Sequence, residues 1–209
     1  MTGERQAWER LYSKRGLQYG GTGELGLLQP HLRAGMLVLD TGCGDGKTTE
    51  PLARTCDVVG CDFSREALVR LRSQRDPEHK VNLVQCNILK LPFESEKFDI
   101  VTCVHTLSHM RQGERTAAAS EVGRVLKSGG YLFVEVFGRG DIRYGEGEEV
   151  EGASFLRGNG ILTHYFQEGE APSLFHGLVR LKEIGSIRRI TFGAVAGKRD
   201  LLRLLMRKP

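Results

Sequence analysis

The chain has 209 residues, 40% of them hydrophobic, and a formal net charge of +4, which suits one domain with an ordinary core. No segment reaches membrane-spanning length, and residues 1–5 lack the apolar run of a signal peptide, so we expect a cytoplasmic protein without a membrane partner. Five cysteines without C-x-x-C spacing argue against a disulfide framework and predict no metal site.

Apolar segments alternate with helical patterns along most of the chain, which predicts an α/β fold with a parallel sheet. The predicted strands are 36–40, 58–61, 81–85, 98–104 and 131–137. The predicted helices are 47–55, 64–74 with Ser64 as N-cap, and 114–126. The last fifty residues are expected to add a helix at 168–179, an extended segment at 186–192 and a closing strand at 201–207.

Residues 138–160 are rich in glycine and acids and have no clear period, so they are predicted as a long loop. This loop would leave the C-terminal end of the fifth strand, where open α/β sheets bind ligands. It is therefore interpreted either as part of a substrate site or its lid, or as a flexible surface insertion.

The most informative segment is a glycine-rich turn that follows the first strand, Asp40-Thr41-Gly42-Cys43-Gly44-Asp45-Gly46-Lys47. Glycines let the backbone approach a ligand closely, and the next helix offers free N–H groups. The G-x-G-x-G spacing differs from the dinucleotide-binding fingerprint G-x-G-x-x-G. The turn also differs from the phosphate-binding P-loop motif at one residue, because Thr41 stands in the place of its first glycine. A carboxylate at Asp40 would repel a pyrophosphate but suits a ligand that carries an amino group.

This turn and the later segment Val58-Val59-Gly60-Cys61-Asp62-Phe63-Ser64 resemble the first motifs of the class I S-adenosylmethionine-dependent methyltransferases. Leu91-Pro92-Phe93, Phe98-Asp99-Ile100-Val101 and the segment 124–130 resemble further landmarks, so the likeness covers about residues 35–137. It implies a three-layer sandwich around a seven-stranded, mostly parallel sheet of order 3-2-1-4-5-7-6 with an antiparallel last strand. A single domain would comprise a helical cap (1–34), a cofactor-binding core (35–137) and an acceptor side (138–209).

The resemblance implies S-adenosylmethionine as cofactor and S-adenosylhomocysteine as product. Asp62 would accept hydrogen bonds from both ribose hydroxyls. Asn87 replaces an acid common in the family, but its carbonyl can still accept from the adenine amino group, beside the backbone of Ile88. The expected cofactor-binding residues are Asp40, Thr41, Gly42, Cys43, Gly44, Gly46, Asp62, Phe63, Asn87, Ile88 and Val104.

Methyl transfer from a sulfonium needs mainly alignment and exclusion of water, although an acceptor that loses a proton also needs a base. His105, His109 and His164 are the histidines available for that role, and His105 is the candidate because it directly follows the fourth strand. Each could equally be an ordinary hydrogen-bonded residue. Three aromatic residues before the first strand are expected to form a lid or the packed face of a capping helix: Trp8, Tyr12 and Tyr19.

Fold alone does not decide substrate, so the acceptor stays open between a small molecule, which is favoured, and tRNA. Residues 164–170 and 60–64 also resemble the tRNA wobble-uridine carboxymethyl methyltransferases, so tRNA with a zinc-ribbon activator protein is an alternative. A catalytically inactive cofactor-binding scaffold is a third. The basic residues near the C-terminus are interpreted as ordinary charges on edge strands or as a nucleic-acid footprint: Arg188, Arg189, Lys198, Arg199, Arg203, Arg207 and Lys208.

Overall fold

A computed structural model describes residues 3–14, 24–192 and 195–209. The helices are α1 (Gly3–Lys14), α2 (Thr49–Ala53), α3 (Arg65–Gln74), α4 (Gln112–Val125) and α5 (Glu170–Ser173). The strands are β1 (Leu37–Thr41), β2 (Asp57–Asp62), β3 (Val81–Gln85), β4 (Phe98–Val104), β5 (Leu126–Phe137), β6 (Glu148–Glu151), β7 (Ser154–Leu156), β8 (Leu162–His164), β9 (Val179–Phe192) and β10 (Val195–Arg207). None of the described helices is long and apolar enough to cross a membrane.

The main sheet has the strand order β3-β2-β1-β4-β5-β10-β9, which confirms the predicted order 3-2-1-4-5-7-6. Strands β1 to β5 run parallel, and β10 is antiparallel to both β5 and β9, as predicted for the last strand. Because successive side chains of a strand point to opposite faces, Val38 packs in a core with Leu52 of α2, while Leu39 packs in another with Val122 of α4. Two cores on one sheet make the predicted three-layer sandwich.

Several predicted element bounds differ from the structure. Helix 47–55 is shorter and helix 114–126 starts earlier, at Gln112, where the Glu114 carboxylate accepts the Arg111 N–H at 3.0 Å. The predicted helix 168–179 is wrong, because only Glu170–Ser173 is helical and Val179 already begins β9. Gly177, in the left-handed region at φ 82°, lies between them and ends the helical course.

The long loop predicted at 138–160 is also wrong in part. Strands β6, β7 and β8 form a separate antiparallel sheet within residues 148–164. Phe155 of this small sheet joins Phe137, Tyr165 and Leu201 in a buried cluster at the end of β5. The segment is therefore packed against the C-terminal edge of the main sheet rather than lying free on the surface.

Candidate functional site

The turn after β1 needs glycine at three positions. Gly42, Gly44 and Gly46 have φ values of 65°, 54° and 98°, a region that side chains rarely adopt. A Cβ at Gly42 would overlap Thr106, and one at Gly44 would overlap the hydroxyl of Tyr12. The backbone of the turn is therefore held open toward the space in front of it.

That space is a cavity of about 440 Å³ at the C-terminal ends of the parallel strands, which we call the main pocket. It brings together most of the residues predicted to bind a cofactor, and also two of the three histidines. The predicted residues that line it are Gly42, Cys43, Gly44, Asp62, Phe63, Asn87, Ile88, Val104, His105 and His109. Among the described residues, Asp40, Thr41 and Gly46 are absent from its lining.

Asp40 lies behind the pocket wall and is only 1% exposed. Its Oδ2 accepts from the Thr49 hydroxyl at 2.6 Å and its Oδ1 accepts from the Thr102 hydroxyl at 2.8 Å. Burial raises the pKa of Asp40 to about 6. The carboxylate thus fastens β1 to α2 and β4, and it supports the turn from behind instead of facing a ligand.

Asp62 lies at the end of β2 and reaches the main pocket. Its Oδ2 accepts the Gly44 N–H at 2.9 Å and its Oδ1 accepts the Ser64 N–H at 2.8 Å. A carboxylate has about four lone-pair positions, so both oxygens keep acceptor capacity for ligand hydroxyls. Burial raises the pKa of Asp62 to about 6, although the backbone donors oppose that rise.

The far side of the pocket is formed by the chain that leaves β3. The Asn87 carbonyl oxygen already accepts the Leu89 N–H at 3.0 Å, which fixes the side chain and leaves one lone pair on that oxygen. Gln85 donates to the Phe63 carbonyl oxygen at 3.1 Å and so joins the ends of β2 and β3. These bonds form a rigid polar edge suited to a flat heterocycle.

Helix α1 covers the pocket. Trp8 and Tyr12 line it, whereas Tyr19 lies outside the described residues. The Glu9 carboxylate accepts from the Ser64 hydroxyl at 2.8 Å and from the backbone N–H groups of Arg65 and Glu66 at 3.0 and 3.1 Å. A side chain of α1 therefore satisfies the free N–H groups at the start of α3, directly after Asp62.

His105 follows β4 in a left-handed conformation, at φ 61°. Its Nε2 lies 3.2 Å from Glu135 Oε1, and its ring stacks on Phe137 at a centroid distance of 4.3 Å. Its Nδ1 is enclosed and has no partner among the described residues. Burial lowers the pKa of His105 even though Glu135 opposes this.

Glu135 is the buried acid behind His105. Its Oε2 accepts from Arg203 Nε at 2.5 Å, and Arg203 Nη2 lies 2.7 Å from Glu24. Burial alone would raise the pKa of Glu135, but hydrogen bonds and charges of His105 and Arg203 lower it to about 2. A chain of charges thus runs from the pocket wall to the surface.

His109 and His164 occupy different environments. His109 lines the main pocket, with its Nδ1 2.7 Å from the Leu162 carbonyl oxygen of β8. His164 lies outside that pocket, between the Ser154 hydroxyl at 2.7 Å and Glu170 Oε1 at 2.5 Å. His164 therefore ties β7 and β8 to α5, which gives residues 164–170 a structural role.

Sequence reasoning missed Glu9, Glu135 and Phe137. Glu135 could have been recognised from the sequence, because a charge within the apolar strand 131–137 needs a buried partner.

Several of the basic residues near the C-terminus form ion pairs with acids. Arg203 and Arg188 pair with Glu24, Arg199 with Asp141 at 3.3 Å, and Lys208 with Glu96 at 3.3 Å. Arg189 and Lys198 are exposed.

Residues 38–130 match the family model described as a methyltransferase domain. The chain is similar to the tRNA N(3)-cytidine methyltransferase METTL2 of Mus musculus, at 30% identity over 66% of this chain and 39% of that protein. A tRNA (carboxymethyluridine(34)-5-O)-methyltransferase of Arabidopsis thaliana is 31% identical over 51% of this chain and 25% of its own length. The chain spans less than half of the length of these relatives.

A small-molecule enzyme is also similar. The mitochondrial ubiquinone biosynthesis O-methyltransferase of Candida albicans is 36% identical over 50% of this chain and 33% of its own length. Among solved structures, a SAM-dependent methyltransferase from Methanosarcina mazei has a TM-score of 0.75 and 25% identity, over 87% of this chain and 96% of that one. The fold of this chain thus has a counterpart in a solved SAM-dependent methyltransferase.

Proposed function

We propose that this chain is a class I S-adenosylmethionine-dependent methyltransferase that transfers a methyl group from that cofactor to a small molecule. The observation that carries the proposal is the main pocket, where the glycine-rich turn lies against the Asp62 carboxylate, which keeps acceptor capacity for a ligand. S-adenosylmethionine supplies an electrophilic methyl group on a sulfonium, so the protein needs to bind, align and exclude water.

The residues present fit the cofactor. Asp62 has lone pairs left for the two ribose hydroxyls, and Asn87 with the backbone of Ile88 offers polar contacts to the adenine. Gly42 and Gly44 line the pocket, so their backbone can lie against the methionine part. Asp40 holds the turn from behind, through Thr49 and Thr102 on neighbouring elements.

A small acceptor is supported by the shape of the site. The pocket, of about 440 Å³, is roofed by α1, and Trp8, Tyr12 and Phe137 give it aromatic walls. Small-molecule sites typically have volumes of about 300–1,000 Å³, and this one must hold both the cofactor and the acceptor, which favours a small acceptor. His105 was the predicted base, but its Nε2 contacts Glu135 and its Nδ1 is enclosed, so in this proposal its ring forms the pocket wall together with Phe137.

A tRNA acceptor is the second candidate, and the relatives that modify tRNA favour it. Exposed Arg189 and Lys198 on the outer strands would contact phosphates in that case. An activator protein would belong to this second candidate only.

The first experiment is calorimetric titration with S-adenosylmethionine, S-adenosylhomocysteine, ATP and NAD. Micromolar binding of the first two alone supports the cofactor assignment, and tight binding of ATP or NAD instead would refute it. Incubation with methyl-labelled cofactor then compares total tRNA with a protein-free and nucleic-acid-free cell extract. Label recovered in small molecules supports the first candidate, and label in tRNA replaces it with the second.

A further inference from the structure

We propose that Nε2 of His109 accepts a hydrogen bond from the methyl acceptor, which must therefore carry an N–H or O–H group on an apolar or aromatic body. The inference rests on the proposed function, because it names the chemistry of the molecule that shares the main pocket with the cofactor. Its basis is the fixed orientation of one imidazole ring.

The Leu162 carbonyl determines which nitrogen of His109 carries the proton. Nδ1 lies 2.7 Å from that oxygen, and a carbonyl oxygen can only accept. Nδ1 must therefore be the donor, so the neutral ring has its lone pair on Nε2. Burial lowers the pKa of His109 to about 3, which keeps the ring neutral at physiological pH.

The lone pair on Nε2 is available to a ligand. His109 lines the main pocket, and none of the described residues donates a hydrogen bond to Nε2. The two histidines differ here, because the orphan nitrogen of His105 is enclosed by protein whereas Nε2 of His109 is not among the enclosed orphan atoms. His109 is thus the histidine with an open acceptor in the pocket.

The ring of His109 cannot easily turn away from this orientation. Trp8 packs against it at a centroid distance of 4.9 Å and an interplanar angle of 72°, and Phe137 lies at 6.0 Å and 70°. A rotation would also break the bond to Leu162, which belongs to the small sheet of β6, β7 and β8. The small sheet therefore sets the direction of an acceptor atom in the main pocket.

The surroundings of Nε2 define the class of acceptor. Trp8, Tyr12, Met110 and Phe137 give the pocket wall an apolar or aromatic surface, which suits a ring. A carboxylate at neutral pH has no hydrogen to donate, so it would leave Nε2 unpaired and would itself lose solvent. Amino, imino and hydroxyl groups on an aromatic body meet both requirements, whether they belong to a free metabolite or to a nucleobase.

Two substitutions separate the nitrogens of His109. His109→Asn keeps an N–H near the position of Nδ1 for Leu162 but removes the acceptor at the ε position. His109→Gln places an amide oxygen near the ε position. Each variant is first titrated with S-adenosylhomocysteine, and binding within about threefold of wild type shows that the cofactor half of the pocket is intact.

The probes are indole and benzofuran, which share one shape and differ in a single N–H donor. In the S-adenosylhomocysteine complex, we expect NMR titration to show that indole binds roughly 10-fold tighter than benzofuran. This ratio corresponds to one hydrogen bond of about 1.4 kcal/mol. The ratio should fall to about 1 in His109→Asn and recover partly in His109→Gln. An unchanged ratio in His109→Asn, or no preference in wild type, would overturn the assignment.

A tautomer measurement tests the same point without activity. Nitrogen-15 spectra of the histidine rings should show His109 protonated on Nδ1, with an Nε2 signal that moves when indole is added. An Nε2–H tautomer would overturn the proposal. Displacement of indole by total tRNA identifies a nucleobase as the source of the N–H, and failure to displace it identifies a free molecule. If the wild-type protein does not bind S-adenosylhomocysteine, that result instead contradicts the proposed function.

Discussion

Asp62→Ala is the substitution that most directly tests the cofactor site. It removes the acceptor of the Gly44 and Ser64 N–H groups, at 2.9 and 2.8 Å, and the acceptor proposed for two ribose hydroxyls. Hydrogen bonds to a charged group contribute roughly 1.5–3 kcal/mol each, and part of that is regained when water enters the gap. We therefore expect a loss of about 3 kcal/mol, or roughly a 100-fold weaker affinity for S-adenosylhomocysteine.

The control for this experiment lies on the same strand. Asp57 begins β2 outside the main pocket, is half exposed, and lies 3.7 Å from Lys80. Asp57→Ala should change the affinity less than about twofold, because an exposed ion pair contributes little. Calorimetry at pH 7.5 measures both variants, with circular dichroism to confirm folding. An Asp62→Ala protein that folds and binds within about threefold of wild type would refute the ribose assignment.

Three further predictions follow from the same geometry. Gly44→Val should abolish measurable cofactor binding and lower Tm, because its side chain would overlap Tyr12 at a residue with positive φ. The control is Gly113→Ala, at a position with open space, which should have neither effect. Titration measures the cofactor affinity of both variants, and thermal melts measure their Tm. Glu135→Gln should destabilise the fold by about 3 kcal/mol at pH 7, because the buried Arg203 guanidinium would lose its carboxylate partner. Because the folded pKa of Glu135 is about 2, below its unfolded value, this difference in urea denaturation should narrow as pH falls below about 4, and a constant difference would contradict it. Burial raises the pKa of Asp40 to about 6, so ionisation of Asp40 costs stability, and this cost builds up between about pH 4 and pH 6. Urea denaturation of the free protein should show up to about 3 kcal/mol of this pH dependence, and it should disappear in Asp40→Asn.

The sequence was most informative where the constraint is local. The glycine turn needs positive φ angles at three nearby residues, so its chemistry is visible in one short segment. Ser64 was recognisable as an N-cap for the same reason, and its hydroxyl accepts the Ala67 N–H at 3.2 Å. The strand order followed from a family resemblance that spans residues 35–137, and the sheet confirms it.

Features that depend on distant partners were missed. Residues 168–179 have a helical pattern, but the left-handed Gly177 interrupts it and Val179 already pairs with β10. The small sheet arises from pairings such as Ser154 with His164 that no local pattern announces. Glu9 lies 55 residues before Ser64, so its capping of α3 could not be inferred from spacing.

The capping of α3 by Glu9 has a consequence for the rate of cofactor exchange. For bound product to leave past α1, three donors at the start of α3 must lose their shared acceptor. At about 1 kcal/mol for each bond, the lifted state lies roughly 3 kcal/mol above the docked one, so fewer than about 1% of molecules are open at any moment. We therefore expect the Glu9 carboxylate of α1 to lengthen the residence time of bound S-adenosylhomocysteine.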